Sequence, residues 1–337
     1  MKVLVRFFCS CTLMSMAYFS TGCQSGTETA KEQPAAVVTK KMVLEGVPSA
    51  SGIERVGDFY YVIGDDSPYL FRLNAAFEVV QKVALLNTGN VQNGRIPKPV
   101  KPDLEAITMV TLSGQPYLLV TGSGSTPARN TAYLLAVTRD GVGQPQAIPL
   151  QGLYDQLRQN KAITGQASLN IEGLSADEEY LYLLQRFSPG GHNVLITYTL
   201  SELTPFLLKH EPAPKPSAVQ AWALPQLANI QTGFSGLAPA LGGRMLFTAS
   251  AEETPNSVLD GEVYGSMIGW LKTHPDPSPQ ALKPEVVVPI KEQDGSAYKG
   301  KIESVCIMEE DRHELQAVAV ADNDDGSSEL ITLTFTW

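Results

Sequence analysis

A four-residue phrase occurs five times along this chain and constrains its fold more than any other feature. Each copy places an apolar residue or Ala before Glu or Ser, followed by a small residue and an apolar residue, at positions 50–53, 104–107, 171–174, 234–237 and 302–305. Strand-like runs separated by polar turns follow each copy. Such a repeat is typical of propellers and other arrays, because each unit buries its apolar faces against its neighbours.

The repeat predicts an all-β fold, a β-propeller of four-stranded blades, with five blades expected and six as the alternative. The last unit is one strand short, whereas an additional strand-like run occupies residues 37–44. In a radial array the first strand can complete the last sheet, which removes two exposed sheet edges. We therefore expect residues 37–44 to pair with the C-terminal strand and close the ring.

Two inserts lie outside the repeat. Residues 150–162 have apolar side chains at helical spacing and predict a short surface helix. Residues 86–102 form a long loop that carries Arg95, Lys98 and Lys101. Such a loop is either functional or a plain connection whose basic residues keep it soluble.

The N-terminal residues are typical of a targeting segment rather than of the fold. Lys2 and Arg6 precede a short apolar stretch, and Ser-Thr-Gly then leads to Cys23. This pattern resembles a bacterial lipoprotein signal, which implies a lipid bilayer as partner through an acyl anchor on Cys23. We expect a signal peptide at 1–22, a flexible tether at 23–36 and one propeller domain at 37–337, in the cell envelope, with the outer membrane favoured. An ordinary secretory signal is the alternative.

Charge and cysteine content exclude some classes of protein. The formal net charge of the 337-residue chain is −10, so nucleic acid is not an expected partner. Cys9 and Cys11 lie in the expected signal and Cys23 in the expected anchor, which leaves Cys306 alone and predicts no disulfide framework.

Carboxylates are expected to converge at one rim of the channel, because the turn before each inner strand and the turn after each second strand lie at the same end of a blade. The ligand-binding residues we expect there are Asp66, Glu105, Arg129, Glu172, Arg186, Asn193 and Glu303. Crowded carboxylates repel unless a cation lies among them, and Ca²⁺ accepts many oxygen ligands. The expected metal ligands are Glu105, Glu172, Glu303, Asp322 and Asp324. Alternatively, Arg129 and Arg186 supply the counter-charge, or each Glu links neighbouring blades.

Five segments together resemble an uncharacterised family of bacterial propeller proteins: 49–53, 63–70, 122–129, 170–174 and 249–255. The Glu-Gly-Leu phrase at 172–174 is more distantly similar to that of the phytase-like and esterase-like propellers. In those proteins acidic residues around the channel bind calcium and a phosphorylated substrate, so the resemblance implies a class of site.

These observations predict a lipid-anchored propeller that binds a small or extended ligand, a small molecule or a protein, on its channel rim. One alternative is a calcium-dependent phosphoesterase in which Arg129 and Arg186 clamp phosphate. Another is an interaction scaffold of the cell envelope, so the sequence leaves open whether the protein is an enzyme.

Overall fold

The computed structural model describes residues 33–87, 89, 91, 92, 94–254, 261–274, 278–323 and 325–337. These residues are mostly β-strand. An N-terminal strand, β1 (Ala35–Val43), precedes the first copy of the repeat. Of the helices within the described ranges, none is both long and apolar enough to cross a membrane.

The first two sheets each begin at a copy of the repeated phrase. Sheet 1 consists of β2 (Ala50–Val56), β3 (Phe59–Gly64), β4 (Tyr69–Leu73) and β5 (Val79–Ala84). Sheet 2 consists of β6 (Leu104–Leu112), β7 (Gln115–Gly122), β8 (Thr131–Thr138), a short β9 (Gly141–Val142) and β10 (Gln146–Pro149). In both sheets the neighbouring strands pair antiparallel; in sheet 2 both β9 and β10 pair with β8.

Helices α1 (Gln151–Gln159) and α2 (Lys161–Thr164) follow sheet 2, where the sequence predicts a helix at 150–162. Sheet 3 then contains β11 (Ile171–Ala176), β12 (Tyr180–Gln185), β13 (Asn193–Thr199) and β14 (Ala218–Trp222), with α3 (Leu200–Lys209) between its last two strands. Helix α3 was not expected from the sequence. Its apolar residues Leu200, Leu203, Phe206 and Leu207 have helical spacing, but Pro205 interrupts the helical pattern.

Two further sheets are joined through the N-terminal strand. After a short β15 (Gln226–Leu227), sheet 4 contains β16 (Ile230–Ala240), β17 (Arg244–Glu253), β18 (Glu262–Lys272) and β19 (Val286–Lys291). Sheet 5 contains β20 (Lys301–Glu310), β21 (Glu314–Asp322) and β22 (Ser328–Thr336). Strand β1 pairs antiparallel with β22 and parallel with β19. The edge of β22 is thereby covered by a strand from the opposite end of the described chain.

The strands that begin the five sheets, which we call the inner strands, contact one another in a cycle. Strand β2 contacts β6, β6 contacts β11, β11 contacts β16, β16 contacts β20, and β20 contacts β2. The small residue of the repeated phrase permits this approach. A Cβ atom on Gly236 would lie 2.9 Å from the Cα of Ser304, and one on Gly52 would lie 3.0 Å from a methyl carbon of Ile107.

Five hydrophobic cores lie between consecutive sheets. One core joins Val62 of sheet 1 to Val318 of sheet 5, and another joins Ile63 of sheet 1 to Val120 of sheet 2. The remaining three lie between sheets 2 and 3, 3 and 4, and 4 and 5. Since the middle strands are covered on both faces, their apolar residues run consecutively, as in the buried stretch Tyr60–Ile63. The arrangement of four-stranded sheets is propeller-like.

Candidate functional site

The polar residue of each repeated phrase lies at a β-bulge of its inner strand. In β2, β6, β11 and β20 the register with the next strand shifts by one at Ser51, Glu105, Glu172 and Glu303, respectively. In β16 the shift falls at Ser235 and Gly236. A bulge inserts an extra residue and redirects its side chain away from the regular pleat. The repeat therefore encodes a local irregularity that presents one polar side chain at the same end of each inner strand.

Of the three glutamates at the bulges, Glu172 lies within electrostatic reach of both Glu105 and Glu303. Burial is the largest factor raising the pKa of Glu105, and the negative charges of Asp103 and Glu172 add to it. Burial likewise raises the pKa of Glu172 to about 7, with Arg186 opposing the shift and Glu303 increasing it. The structure thus brings Glu172 near each of the other two glutamates.

A first buried network surrounds Asp103, which directly precedes β6. The Nη1 atom of Arg129 lies 2.6 Å from Oδ2 of Asp103, and the Oγ of Ser123 donates a hydrogen bond of 2.5 Å to the same oxygen. The Nζ atom of Lys101 lies 2.9 Å from Oδ1 of Asp103 and also pairs with Asp65. Both oxygens of Asp103 are thus satisfied by cations and a hydroxyl group.

A second network links sheets 3, 4 and 5. The Nη2 atom of Arg186 lies 3.0 Å from Oε2 of Glu252, and Lys301 Nζ lies 3.3 Å from that same oxygen. Lys301 Nζ also lies 3.1 Å from Oε1 of Glu303. Burial alone would raise the pKa of Glu252, but Lys301 and Arg186 outweigh burial and hold this pKa below its ordinary value. Glu252 is therefore a firmly ionised counter-charge.

Several carboxylate oxygens in or beside these networks have no partner. The structure gives no hydrogen-bond partner to Asp65 Oδ1, Asp66 Oδ1 or Glu303 Oε2, all of which are buried atoms. Glu105 lies close enough to Lys101 for the ammonium group to oppose the rise of its pKa. Burying a polar atom without a partner is costly, so these oxygens require donors.

A cavity of about 630 Å³ opens beside the first network. Its lining includes Asp65, Asp66, Asp322 and, from the loop before β6, Arg95 and Lys101. Burial is the largest factor raising the pKa of Asp65 to about 6, and Lys101 opposes that shift. The cavity therefore connects open space to Asp65, a carboxyl group with a raised pKa.

The structure places the expected ligand-binding residues in different roles. Arg129 and Arg186 are buried and paired with carboxylates, and Asp66 Oδ2 accepts a 2.6 Å hydrogen bond from Arg95. Asn193 is used by the backbone: its Oδ1 accepts from the amides of Phe187 and Phe234, and its Nδ2 donates to the Thr232 carbonyl. Asn193 thus joins sheets 3 and 4 rather than leaving its amide open to a ligand.

The expected metal ligands do not form one group. Among the described residues, the acidic cluster whose oxygens all lie within 4.8 Å of one another is Asp65, Asp103 and Glu105. Only Glu105 of the expected set belongs to it, whereas Asp322 lines the cavity and Glu172 and Glu303 contribute to the other network. Asp324 and Cys23 lie outside the described residues.

Sequence reasoning missed Asp103 and Lys301 as site residues and treated Lys101 as a loop cation. The repeat contains a signal for Asp103 and Lys301. The position two residues before the polar bulge residue is itself polar in four copies, as Ser49, Asp103, Asn170 and Lys301. Lys101 has no such signal, because it comes from an insert present in only one copy.

A family model described as "Family of unknown function (DUF6929)" matches residues 46–335. No curated protein matches the sequence. Among solved structures, glutaminyl cyclase from Myxococcus xanthus is similar with 10% identity over 90% of this chain and 97% of that chain, at a TM-score of 0.48. An α-L-arabinanase of Cellvibrio cellulosa complexed with arabinohexaose is similar with 13% identity over 85% of this chain and 90% of that chain, at a TM-score of 0.42. An arabinanase of Bacillus subtilis is similar with 12% identity over 89% of this chain and 95% of that chain, at a TM-score of 0.40.

Proposed function

The chain belongs to this family of unknown function, and we propose from its own geometry that it is a five-bladed β-propeller that binds a small ligand at one mouth of its channel. The cyclic contacts of the inner strands and the pairing of β1 with β22 support a ring of five blades closed by the N-terminal strand. The channel mouth in this proposal is the end of the inner strands at which the bulge residues lie.

One observation carries the proposed chemistry of the ligand: carboxylate oxygens at the mouth lack donors, while the buried cations are already paired. Asp65, Asp66 and Glu303 each retain a buried oxygen without a partner. Arg129, Arg186, Lys101 and Lys301 each contact a carboxylate. A site with this imbalance favours a ligand that brings hydrogen-bond donors or positive charge over one that brings an anion.

The proposal is tested by measuring the binding of defined compounds to the wild-type protein by thermal shift and calorimetry. We expect arginine, putrescine or a polyol such as inositol to bind, and inorganic phosphate not to bind. Glu105→Gln and Glu303→Gln should each weaken the binding of such a compound about tenfold, the effect of removing a charge-assisted hydrogen bond. Glu202→Gln, in the exposed first turn of α3, is the control. Binding by phosphate alone, or binding unchanged in both variants, would refute the proposal.

A calcium-dependent phosphoesterase is the second candidate, and the trio Asp65, Asp103 and Glu105 favours it. Their carboxylate oxygens are the donors that Ca²⁺ prefers, and they lie close enough to share one ion. Two features argue against it. The ammonium group of Lys101 already lies among these carboxylates, and the arginines expected to hold phosphate are paired with Asp103 and Glu252. Stabilisation by CaCl₂ together with Ca²⁺-dependent hydrolysis of p-nitrophenyl phosphate would favour this candidate.

The location we propose is the cell envelope, with Cys23 carrying a lipid anchor. The support is the sequence pattern of residues 1–23. Metabolic labelling with an alkyne-tagged fatty acid should mark the wild-type protein, and Cys23→Ser should abolish the label and release the protein from the membrane fraction. Labelling that persists in Cys23→Ser would refute the anchor.

A further inference from the structure

The trio Asp65, Asp103 and Glu105 forms a cage of carboxylates around one point of the channel mouth. Their oxygens lie within 4.8 Å of one another, although Asp65 follows β3 and the other two residues flank the start of β6. Carboxylates so close together repel, which raises the pKa of Glu105 beyond the effect of burial. A positive charge among these three carboxylates would therefore relieve their repulsion.

The cation that lies in this cage is the ammonium group of Lys101. Its Nζ atom contacts Asp65 and lies 2.9 Å from Asp103 Oδ1, and the side chain is 13% exposed. Burial alone would lower the pKa of Lys101, but Asp65 and Asp103 outweigh burial and raise it. Lys101 is thus held as a charged ligand would be held, with two of its three donors satisfied by the cage.

Lys101 reaches the cage from an insert rather than from an inner strand. It follows a short 3₁₀ helix, Lys98–Val100, in the loop that precedes β6. The same loop contacts sheet 1 through the amide of Ile96, which donates to the Asp66 carbonyl at 2.7 Å, and through the Arg95–Asp66 ion pair. Asp65 and Glu105 thus belong to other elements than Lys101, whereas Asp103 lies two residues after it in the same loop. Withdrawal of the Lys101 side chain alone would leave the three carboxylates without this cation.

A second observation indicates that the cage belongs to a larger ligand site. Asp66, whose residue is 5% exposed, lines the 630 Å³ cavity together with Asp65 and Lys101, and its Oδ1 atom has no partner. Because Asp66 Oδ1 is shielded from water, a ligand donor that reached it would remove the cost of an unpartnered acceptor. The cavity thus offers space for the rest of a molecule whose cationic end enters the cage.

We propose that Asp65, Asp103 and Glu105 form a subsite for the primary ammonium group of a ligand, and that Lys101 is an internal ligand that occupies this subsite until the ligand displaces it. This inference rests on the proposed ligand-binding function, and it specifies the class of ligand and the segment that controls its binding. The loop before β6 then acts as an autoinhibitory segment whose lysine competes with the ligand amine.

Chemical rescue of Lys101→Ala tests this assignment. The truncated side chain leaves the carboxylates without their cation, so the melting temperature should fall. Ethylammonium chloride should restore stability, and tetramethylammonium chloride at equal ionic strength should not, because it has no N–H donors. Ethylammonium should bind Lys101→Ala at least about tenfold more tightly than wild type, a difference of about 1.4 kcal/mol. Lys161→Met, on the exposed start of α2, is the charge-matched control and should show no rescue.

Lys101→Met provides a second variant if the alanine variant folds poorly, since it keeps most of the side-chain volume and removes the charge. Equal binding of ethylammonium to wild type and to both variants, or no binding to either variant, would overturn the assignment. Stabilisation of the variants by CaCl₂ but not by ethylammonium would also overturn it and would assign the cage to a divalent cation. The proposed function would be refuted independently if the wild-type protein bound none of arginine, putrescine and inositol while ethylammonium still rescued the Lys101 variants.

Discussion

The Nη1 atom of Arg129 lies 2.6 Å from the Oδ2 atom of Asp103, and both side chains are almost entirely shielded from water. Arg129 belongs to the turn between β7 and β8, whereas Asp103 directly precedes β6. The pair therefore connects the two turns of sheet 2 that lie at the same end of the inner strands. It also shows that an arginine expected to meet a ligand is used by the protein itself.

We predict that Arg129→Met lowers the free energy of unfolding by about 3 kcal/mol, because it leaves the buried Asp103 carboxylate with one cation fewer. Urea denaturation at neutral pH measures the effect. The double variant Arg129→Met/Asp103→Asn should recover part of the loss, since it removes the uncompensated charge. A loss below about 1 kcal/mol would mean that Lys101 and Ser123 alone satisfy Asp103.

The stability of the protein should decrease as the pH rises from about 4.5 to about 7. Burial raises the pKa of Glu172 from its ordinary 4.5 to about 7, so in this window the folded state holds a proton that the unfolded state has lost. The contribution of Glu172 to the free energy of unfolding is fully present below pH 4.5 and is lost as the pH rises past about 7. Glu172→Gln should reduce this loss by about 2 kcal/mol.

Urea denaturation at pH 5 and pH 8 measures this dependence. Glu202→Gln is the control, because Glu202 is exposed on α3. Asp65 and Glu105 have pKa values raised in the same direction, so Glu172→Gln should flatten the dependence without abolishing it. An unchanged slope in Glu172→Gln would contradict the environment described for this carboxyl group.

Gly236, the small residue of the fourth copy of the phrase, should be intolerant of enlargement. A Cβ atom at Gly236 would lie 2.6 Å from Thr248 Oγ1 and 2.9 Å from Ser304 Cα. Because the second contact is with the backbone of β20, Gly236→Ala should cost about 2 kcal/mol of unfolding free energy. Gly152→Ala in α1 is the matched control: a Cβ there meets no atom within 4 Å, and the higher helix propensity of Ala should stabilise the protein slightly.

Removal of the N-terminal strand should destabilise the protein far more than removal of the residues before it. Strand β1 buries Ala36 and Val38 and covers the edge of β22. A variant beginning at residue 44 should melt roughly 10 °C or more below one beginning at residue 33, and should aggregate through the exposed edge. Similar melting temperatures for the two variants would show that β1 is dispensable for the sheet.

The sequence by itself determined the parts of this protein that depend on local pattern. The five copies of the repeated phrase marked the five inner strands, the helical spacing at 150–162 marked α1, and the strand-like run at 37–44 indicated β1. The phrase also identified Glu172 as a neighbour of Glu105 and Glu303, because equivalent positions of a repeated unit occupy equivalent places in the array.

Only the tertiary structure decided which charges pair with which. Lys101 lies near Asp65 because a loop folds back onto sheet 1, and Arg186 pairs with Glu252 because sheets 3 and 4 are adjacent. Neither relationship has a fixed sequence spacing, so no pattern could reveal it. The electrostatic state of each carboxyl group depends on burial and on charges a few ångströms away, and these quantities exist only after the sheets have packed.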